Sequence, residues 1–428
     1  MDLKNRIAIY ATYLGATAGI GFTLPFLPIY LGQQGLSDLA IGWISTLAAL
    51  SALAQFPIGI WSDRIDRRKP FLMAALAILT VATWLLQEAH QAILLGLLVI
   101  LFAENGICRA VIDSLTGAEV ASLCAEKDRA AELGALRLWK PIGIIATALL
   151  GSWWAGRTSI AAILPWLTII QLMGFLAAFA IRDNRHKSLA TASRPSVSEP
   201  KKQFELPRDS RLWSFILAMV LFHMANAPGG VYLGLFLKRS LGATDLTLAY
   251  AFVASMLAWM IVVWPAGRIA DRYGRKPMLV LTWIVMTARL LIVAVAQTPA
   301  QIVANQILDG VANGLFSVLA ATWVTDRLNN ACRVGEAQVI VGTSLVAGSA
   351  LGPVLSGMIV EFIGYRGLFA CLAVVGAIAT AVLMAFVPET SAFASKGQCP
   401  DEFTPEPNSF RSTPVTVLAE PPIKDVPV

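Results

Sequence analysis

Glu104, Arg109 and Asp113 share one long apolar stretch, and Arg137, Lys140, His223, Asn226 and Asp309 lie in others. A charge in the middle of such a segment costs on the order of 2.5–3.5 kcal/mol even on a lenient membrane-insertion scale. Residues that carry this cost either neutralise one another or bind and move something charged, a solute or a proton. On a helix turning about 100° per residue, Arg109 and Asp113 stand about 40° apart and can pair, whereas Glu104 points about 140° away from Arg109. With no cation three or four residues from it, Glu104 is the carboxylate best placed to exchange a proton. Asp113, one turn from Arg109, suits solute binding or charge balance. Asp309 either pairs with Arg289 or carries a proton, and His223 is either a hydrogen-bonded packing residue or a proton site. Asn226-Ala-Pro228-Gly229-Gly230 lies in mid-stretch, where proline and glycine can loosen a helix and free backbone carbonyls.

The elements that must hold these residues are membrane helices. The 428 residues are 57% hydrophobic and 14% charged, with mean hydropathy +0.67, where an ordinary soluble domain carries about 25% charged residues. The net charge of +6 is spread over short loops rather than gathered on one face, so nucleic acid is not an expected partner and the lipid bilayer is. Five scattered cysteines without metal-ligand spacing suggest neither a disulfide framework nor a metal centre. Read with a ruler of about 20 apolar residues, the sequence predicts helices near 6–31, 38–61, 70–87, 91–116, 133–155 and 159–181. Six more follow near 212–237, 244–267, 277–297, 300–325, 336–360 and 366–387. With the N-terminus inside, the inner connections and tails hold 25 Lys/Arg against four in the outer loops, which predicts cytoplasmic termini. The absence of an Asn-x-Ser/Thr sequon leans towards a bacterial inner membrane.

The chain also repeats itself. Gly59-Ile-Trp-Ser-Asp63-Arg64-Ile-Asp66-Arg67-Arg68 returns 208 residues later as Gly267-Arg-Ile-Ala-Asp271-Arg272-Tyr-Gly274-Arg275-Lys276. Asn105-Gly106 and Asn313-Gly314 share that offset, as do Gly21 and Gly229. Two six-helix halves, each with the motif closing its second helix, account for this, a pattern expected of carriers that rock two bundles about a midplane site.

This loop pattern resembles the signature of the major facilitator superfamily, and the resemblance covers roughly residues 6–390. It implies that Gly59 and Gly267 let helices approach, that Gly274 makes a tight turn, and that Asp63, Arg64, Arg67, Asp271, Arg272 and Arg275 form charge clusters steadying one transport state. The acidic partners it implies, near the inner ends of the fourth and tenth helices, are Glu119 and Asp326. The first, fourth, seventh and tenth helices would line the cavity, bringing Glu104, Arg109, Asp113, Asn226 and Asp309 to it. A second segment, Leu136-Arg137-Leu138-Trp139 with Gly143, is similar to the Arg-Leu-Trp-Gly segment of the phenylpropionate and nucleoside permease branch. There a fourth-helix acid faces the arginine across the substrate site; Arg137 carries over, and the acid is Asp113 or Glu119. Lys140 stands where that segment has glycine, and Pro141 follows. The Gly…Gly-Pro antiporter signature is missing from the fifth helix, while Gly348-x-x-x-Gly352-Pro353-x-x-x-Gly357 occurs on the eleventh, so direction is open.

The expected fold is an all-α membrane protein with twelve transmembrane helices in two six-helix bundles, the major facilitator fold. Its domains are 1–181, a cytoplasmic central loop 182–211, a second bundle 212–390 and a disordered cytoplasmic tail 391–428. The expected function is secondary active transport of a small organic solute by alternating access, coupled to protons, in a monomer without cofactor. The competing readings are a drug or metabolite exporter and a non-transporting receptor or scaffold on a carrier fold. No phosphate-cradling loop, zinc set or nucleophile–base pair at membrane depth argues for a pump or an enzyme.

Overall fold

Polar residues at the ends of apolar runs start the helices. Ser37 and Thr244 accept backbone N–H bonds at their N-caps, and Thr298 with Gln301 completes a capping box. The structure, a computed structural model, describes residues 3–65, 67–124, 126–181, 209–328 and 334–390. In order, the helices of the first half are α1 Leu3–Ala18, α2 Ile20–Thr23, α3 Leu27–Gln33, α4 Asp38–Ser51, α5 Gln55–Arg64, α6 Lys69–Leu85, α7 Ala92–Phe102, α8 Ile107–Leu123, α9 Glu126–Ala155 and α10 Leu164–Phe179. The second half has α11 Ser210–Leu235, α12 Asp245–Tyr273, α13 Arg275–Val295, α14 Pro299–Arg327 and α15 Val334–Phe386.

Among the described residues, nine helices are long and apolar enough to cross a membrane, ten if the bent first pair is one span. The remaining expected spans correspond to the shorter α6 and to the second arm of α15, which turns at Gly364 (φ 71°). The outward faces are apolar, with Ile93, Trp264 and Phe362 largely bare, as a lipid-facing surface requires. Inside the halves, small residues let backbones meet: a Cβ on Gly15 would lie 2.7 Å from the Cα of Gly174, joining α1 to α10. Aromatic rings fill the second half, with Phe222 stacked on Phe316 at 4.9 Å and tilted against Trp283 at 4.6 Å.

Three expectations change. The first span is not one rod but bends by 55° between Thr23 and Leu27, where Pro25 and Pro28 interrupt the ladder. The fourth span, predicted continuous over 91–116, breaks at 103–106: Ala103 and Gly106 both take extended ψ values, 159° and 167°. The angular relation between Glu104 and Arg109, argued on a continuous helix, therefore does not hold. Conversely, α11 runs unbroken through Pro228, Gly229 and Gly230. Gly352 closes on the carbonyl of Met224, the group whose partner Pro228 removes. Residues 182–208 of the predicted central loop and the predicted tail 391–428 lie outside the described residues.

The halves meet through α4 against α15, α9 against α12, and α3 against α11. At one end Asp38 ties them: its carboxylate accepts from Arg239 at 2.9 Å and from the Tyr365 hydroxyl at 3.0 Å, and its carbonyl accepts from Tyr232. Close backbone approaches support this end, since a Cβ on Gly357 would sit 2.8 Å from Leu39 Cα. The repeated loop motif lies at the other end.

Candidate functional site

A cavity of about 560 Å³ lies between the halves, lined by the first, second, fourth and fifth spans and by the seventh, eighth, ninth, tenth and eleventh. Its lining includes Glu104, Asp113, Arg137, Lys140, His223, Asn226 and Asp309, so seven of the eight predicted solute- or proton-pathway residues converge there. Its volume falls in the range of small-molecule sites, about 300–1,000 Å³.

The wall from the second half is a closed polar ring. Arg289, buried on α13, bridges to Asp309 Oδ1 at 2.7 Å and donates to Asn226 Oδ1 at 2.8 Å and Gln306 Oε1 at 3.2 Å. Asn226 donates to Asn313 at 2.8 Å, Asn313 donates to Asp309 Oδ1 at 3.0 Å, and Ser255 donates to Asp309 Oδ2 at 2.5 Å. Both carboxylate oxygens of Asp309 are thereby engaged, Oδ1 by Arg289 and Asn313 and Oδ2 by Ser255. Gly229 is needed here, because a Cβ would come within 2.9 Å of Arg289 Nη2. His223 is buried beside the ring, edge-on to Phe316 at 4.5 Å, with its Nε2 unpartnered.

The wall from the first half is open and charged. Asp113 accepts from Tyr13 at 2.7 Å. Arg137, Lys140 and Glu104 make no hydrogen bond or ion pair among the described residues, although all three line the cavity. Of the two acids considered as partners for Arg137, Asp113 shares the cavity with it, whereas Glu119 is buried elsewhere on α8.

Arg109 is the exception among the predicted residues. It does not line the cavity. Its Nε donates to the Phe102 carbonyl at 2.8 Å and its Nη1 to the Ala16 carbonyl at 3.0 Å, with the guanidinium over the Phe102 ring. The break after α7 leaves the carbonyl of Phe102 without its helical donor, and a buried cation satisfies it. The expected pairing of Arg109 with Asp113 is thus replaced by a staple between the two bent spans. From there Arg109 interacts electrostatically with Glu104, which the sequence placed out of its reach.

At the motif end, the second copy folds as a clamp. Arg275 forms ion pairs with Asp271 and, at 3.1 Å, with Asp326, the acid implied by the resemblance. Gly274 has φ 96°, and a Cβ there would meet Glu389 Oε2 at 2.7 Å. Glu389 accepts from the backbone N–H groups of Arg275 and Lys276 at 2.9 and 3.0 Å, capping α13. Arg272 lies exposed, over the Tyr273 ring. In the first copy Arg68 donates to the Ala118 carbonyl at 2.8 Å, next to Glu119, while Arg64 and Arg67 are exposed. Asp63 is the penultimate residue of α5, and Asp66 lies outside the described residues. Among the described residues, a Cβ on Gly59 would meet nothing within 4 Å and one on Gly267 only Val318 at 3.9 Å, so the implied close packing of these glycines is not seen there. The tight approaches lie instead at Gly310, against the Ser255 carbonyl, and at Gly314, 3.3 Å from the Trp259 carbonyl.

Two charged halves surround a solute-sized cavity, and the second copy of the loop motif folds as a clamp at one end. The MFS_1 like family model matches residues 7–371. The chain belongs to that family. It is therefore an integral membrane transporter of the major facilitator superfamily, moving a small-molecule substrate. An uncharacterized MFS-type transporter of Mycobacterium tuberculosis is 24% identical over 379 residues, covering 86% of this chain and 89% of its own. The multi-drug resistance efflux pump PmrA of Streptococcus pneumoniae is also 24% identical over 379 residues, covering 85% and 91%. The solved nucleoside transporter NupG superposes with TM-score 0.76 at 15% identity, over 90% of this chain and 99% of that one. At that identity the likeness speaks for the fold alone.

The sequence missed Tyr13, Ser255 and Glu389. Asn313 carried a signal, since Asn313-Gly314 repeats Asn105-Gly106. Glu389 had only its place directly after Pro388, on the edge of the segment predicted as polar tail. Tyr13 and Ser255 are unremarkable members of apolar helices and gave none.

Proposed function

We propose that this MFS_1 like protein is a proton-coupled secondary transporter that binds a small organic solute in the central cavity and carries it by alternating access. The observation that supports this reading is a cavity lined by both halves, which are tied to each other at one end. Asp38, Arg239 and Tyr365 join the halves at one end. Among the described residues, the motif-end bonds Arg275–Asp326 and Lys276–Met384 lie within the second half. The halves, 1–181 and 212–390, are the rocking bodies. The Lys/Arg asymmetry supports a motif end and termini that face the cytoplasm; the reading takes the protein as a monomer in a bacterial inner membrane. The closed Asp38 end then faces outward, and the state is inward-facing. Export is the second reading, favoured by similarity to the efflux pump PmrA.

Reconstituted proteoliposomes, screened with a panel of small solutes with and without an imposed pH gradient, test this directly. A solute should exchange without a gradient and accumulate with one, the sign of the gradient giving the direction. Exchange of nothing across a broad panel, by protein verified as folded, would remove the transport reading. Accumulation indifferent to pH would remove only the proton.

A further inference from the structure

Three cations (Arg137, Lys140, Arg289) and three carboxylates (Glu104, Asp113, Asp309) line the cavity, so on a simple count it is neutral. The geometry divides that count unequally. Arg289 and Asp309 are bonded to each other at 2.7 Å and cancel. Glu104 lies in the 103–106 break of the fourth span, and Arg109, outside the cavity and bonded to the Phe102 carbonyl at the edge of that break, offsets its charge. Arg137, Lys140 and Asp113 remain, and one positive charge among them has no counter-ion among the described residues.

That surplus is localised. Arg137 and Lys140 are three residues apart on α9, hence neighbours on one face, and neither makes a hydrogen bond or ion pair among the described residues. A planar guanidinium and a mobile ammonium side by side offer donors to both oxygens of a carboxylate or similar anion. The helix packed across from α9 is α12, from the other half. Its cavity face carries Phe252, Met256 and Trp259, a stripe at helical spacing with no charge of its own. An anionic head therefore meets one half and an apolar body the other.

We infer that Arg137 and Lys140 form an anion subsite, and that the solute is a small organic monoanion whose apolar body lies on the Phe252–Met256–Trp259 stripe. This rests on the transporter reading above. Lys140 is the distinctive member, since it stands where the similar permease segment has glycine. Binding at this pair also ties the halves together through one solute, which a purely polar ligand on α9 would not do.

The test uses purified full-length protein in detergent, titrated with matched probes while tryptophan fluorescence and melting temperature are followed. The sets are benzoate, benzamide, benzylamine and aminomethylbenzoate, and hexanoate, hexanamide and hexylamine. The carboxylate of at least one set should bind about tenfold or more tightly than its amide and amine, as expected for charge-assisted hydrogen bonds. Lys140→Gln and Arg137→Gln should each weaken that binding about tenfold or more, and Lys140→Gln should leave the ligand-free melting temperature unchanged. Equal binding of amide or amine, tighter binding of the zwitterion than of benzoate, unchanged anion affinity in Lys140→Gln, or no binding by any probe would each overturn the monoanion assignment. None of these results touches solute exchange in the liposome panel, which is read without regard to solute charge.

Discussion

Of the carboxylates facing the cavity, Asp309 is the least free. Arg289, Asn313 and Ser255 all hold it, and releasing a buried ion pair of this kind leaves an uncompensated charge at a cost of about 3–5 kcal/mol. Glu104 has no direct partner among the described residues and sits at the break of the fourth span, where the backbone is already non-helical. A proton-carrying group must change its charge without tearing a network, and Glu104 meets that condition better. Glu104→Gln is expected to abolish pH-driven accumulation in proteoliposomes while solute exchange without a gradient continues. Asp113→Asn, which shares the cavity with Arg137 and is bonded to Tyr13, should instead change solute affinity by about tenfold while coupling to the pH gradient persists. Normal pH-driven accumulation by the Glu104→Gln protein would transfer the role to Asp309, despite its bonds.

The turn between α12 and α13 is a small machine with three fixed points: the positive φ of Gly274, the Arg275 fork between Asp271 and Asp326, and the Glu389 cap. Ala at position 274 would be strained twice, by φ 96° and by a Cβ 2.7 Å from the Glu389 carboxylate. We expect Gly274→Ala and Asp271→Asn each to remove most transport while membrane expression stays near wild type. The first copy has Asp66 where the second has Gly274, so Asp63→Asn should be milder. Transport assays on membranes matched for protein amount decide this, and equal tolerance of Asp63→Asn and Asp271→Asn would reduce the motif to a topology signal.

Across the whole molecule, the latch of Asp38, Arg239 and Tyr365 holds the halves together at the end away from the clamp. The Arg239 side chain is 41% exposed, so its ion pair with Asp38 is partly screened. Its loss should shift the balance of states by a few-fold rather than abolish closure. A cysteine at Gly230, close to Leu24 of the other half beneath the latch, reports that balance. In a cysteine-free background, Asp38→Ala should raise its labelling from outside by a few-fold in intact cells. Cysteines in 33–37 should label from outside in either case, and cysteines in 190–205 only after permeabilisation. Outside labelling of 190–205 would reverse the orientation, and unchanged Gly230→Cys labelling would remove the latch.

Length, apolarity and repetition were enough to read the architecture. Spans are set by the bilayer's thickness and by the cost of exposing a backbone to lipid, both one-dimensional constraints written along the chain. The duplicated Gly-x-x-x-Asp-Arg loop likewise needs only local order, and the resemblance that it carries implied Asp326 as an acid of its charge cluster. Most cavity residues were legible too, because a charge in an apolar stretch stands out wherever it lies. Their partners were not. Whether Arg109 reaches Asp113 on its own helix or a carbonyl freed by a helix break depends on backbone geometry at 103–106, which no spacing encodes. Asp309 is locked because Arg289 arrives from α13, whereas Glu104 lines the cavity without a hydrogen bond or ion pair among the described residues. Glu389 matters because the chain folds back 114 residues onto the Arg275 turn. Charge balance in a cavity is a sum over helices distant in sequence, and only their packing decides which charges meet and which remain for a solute.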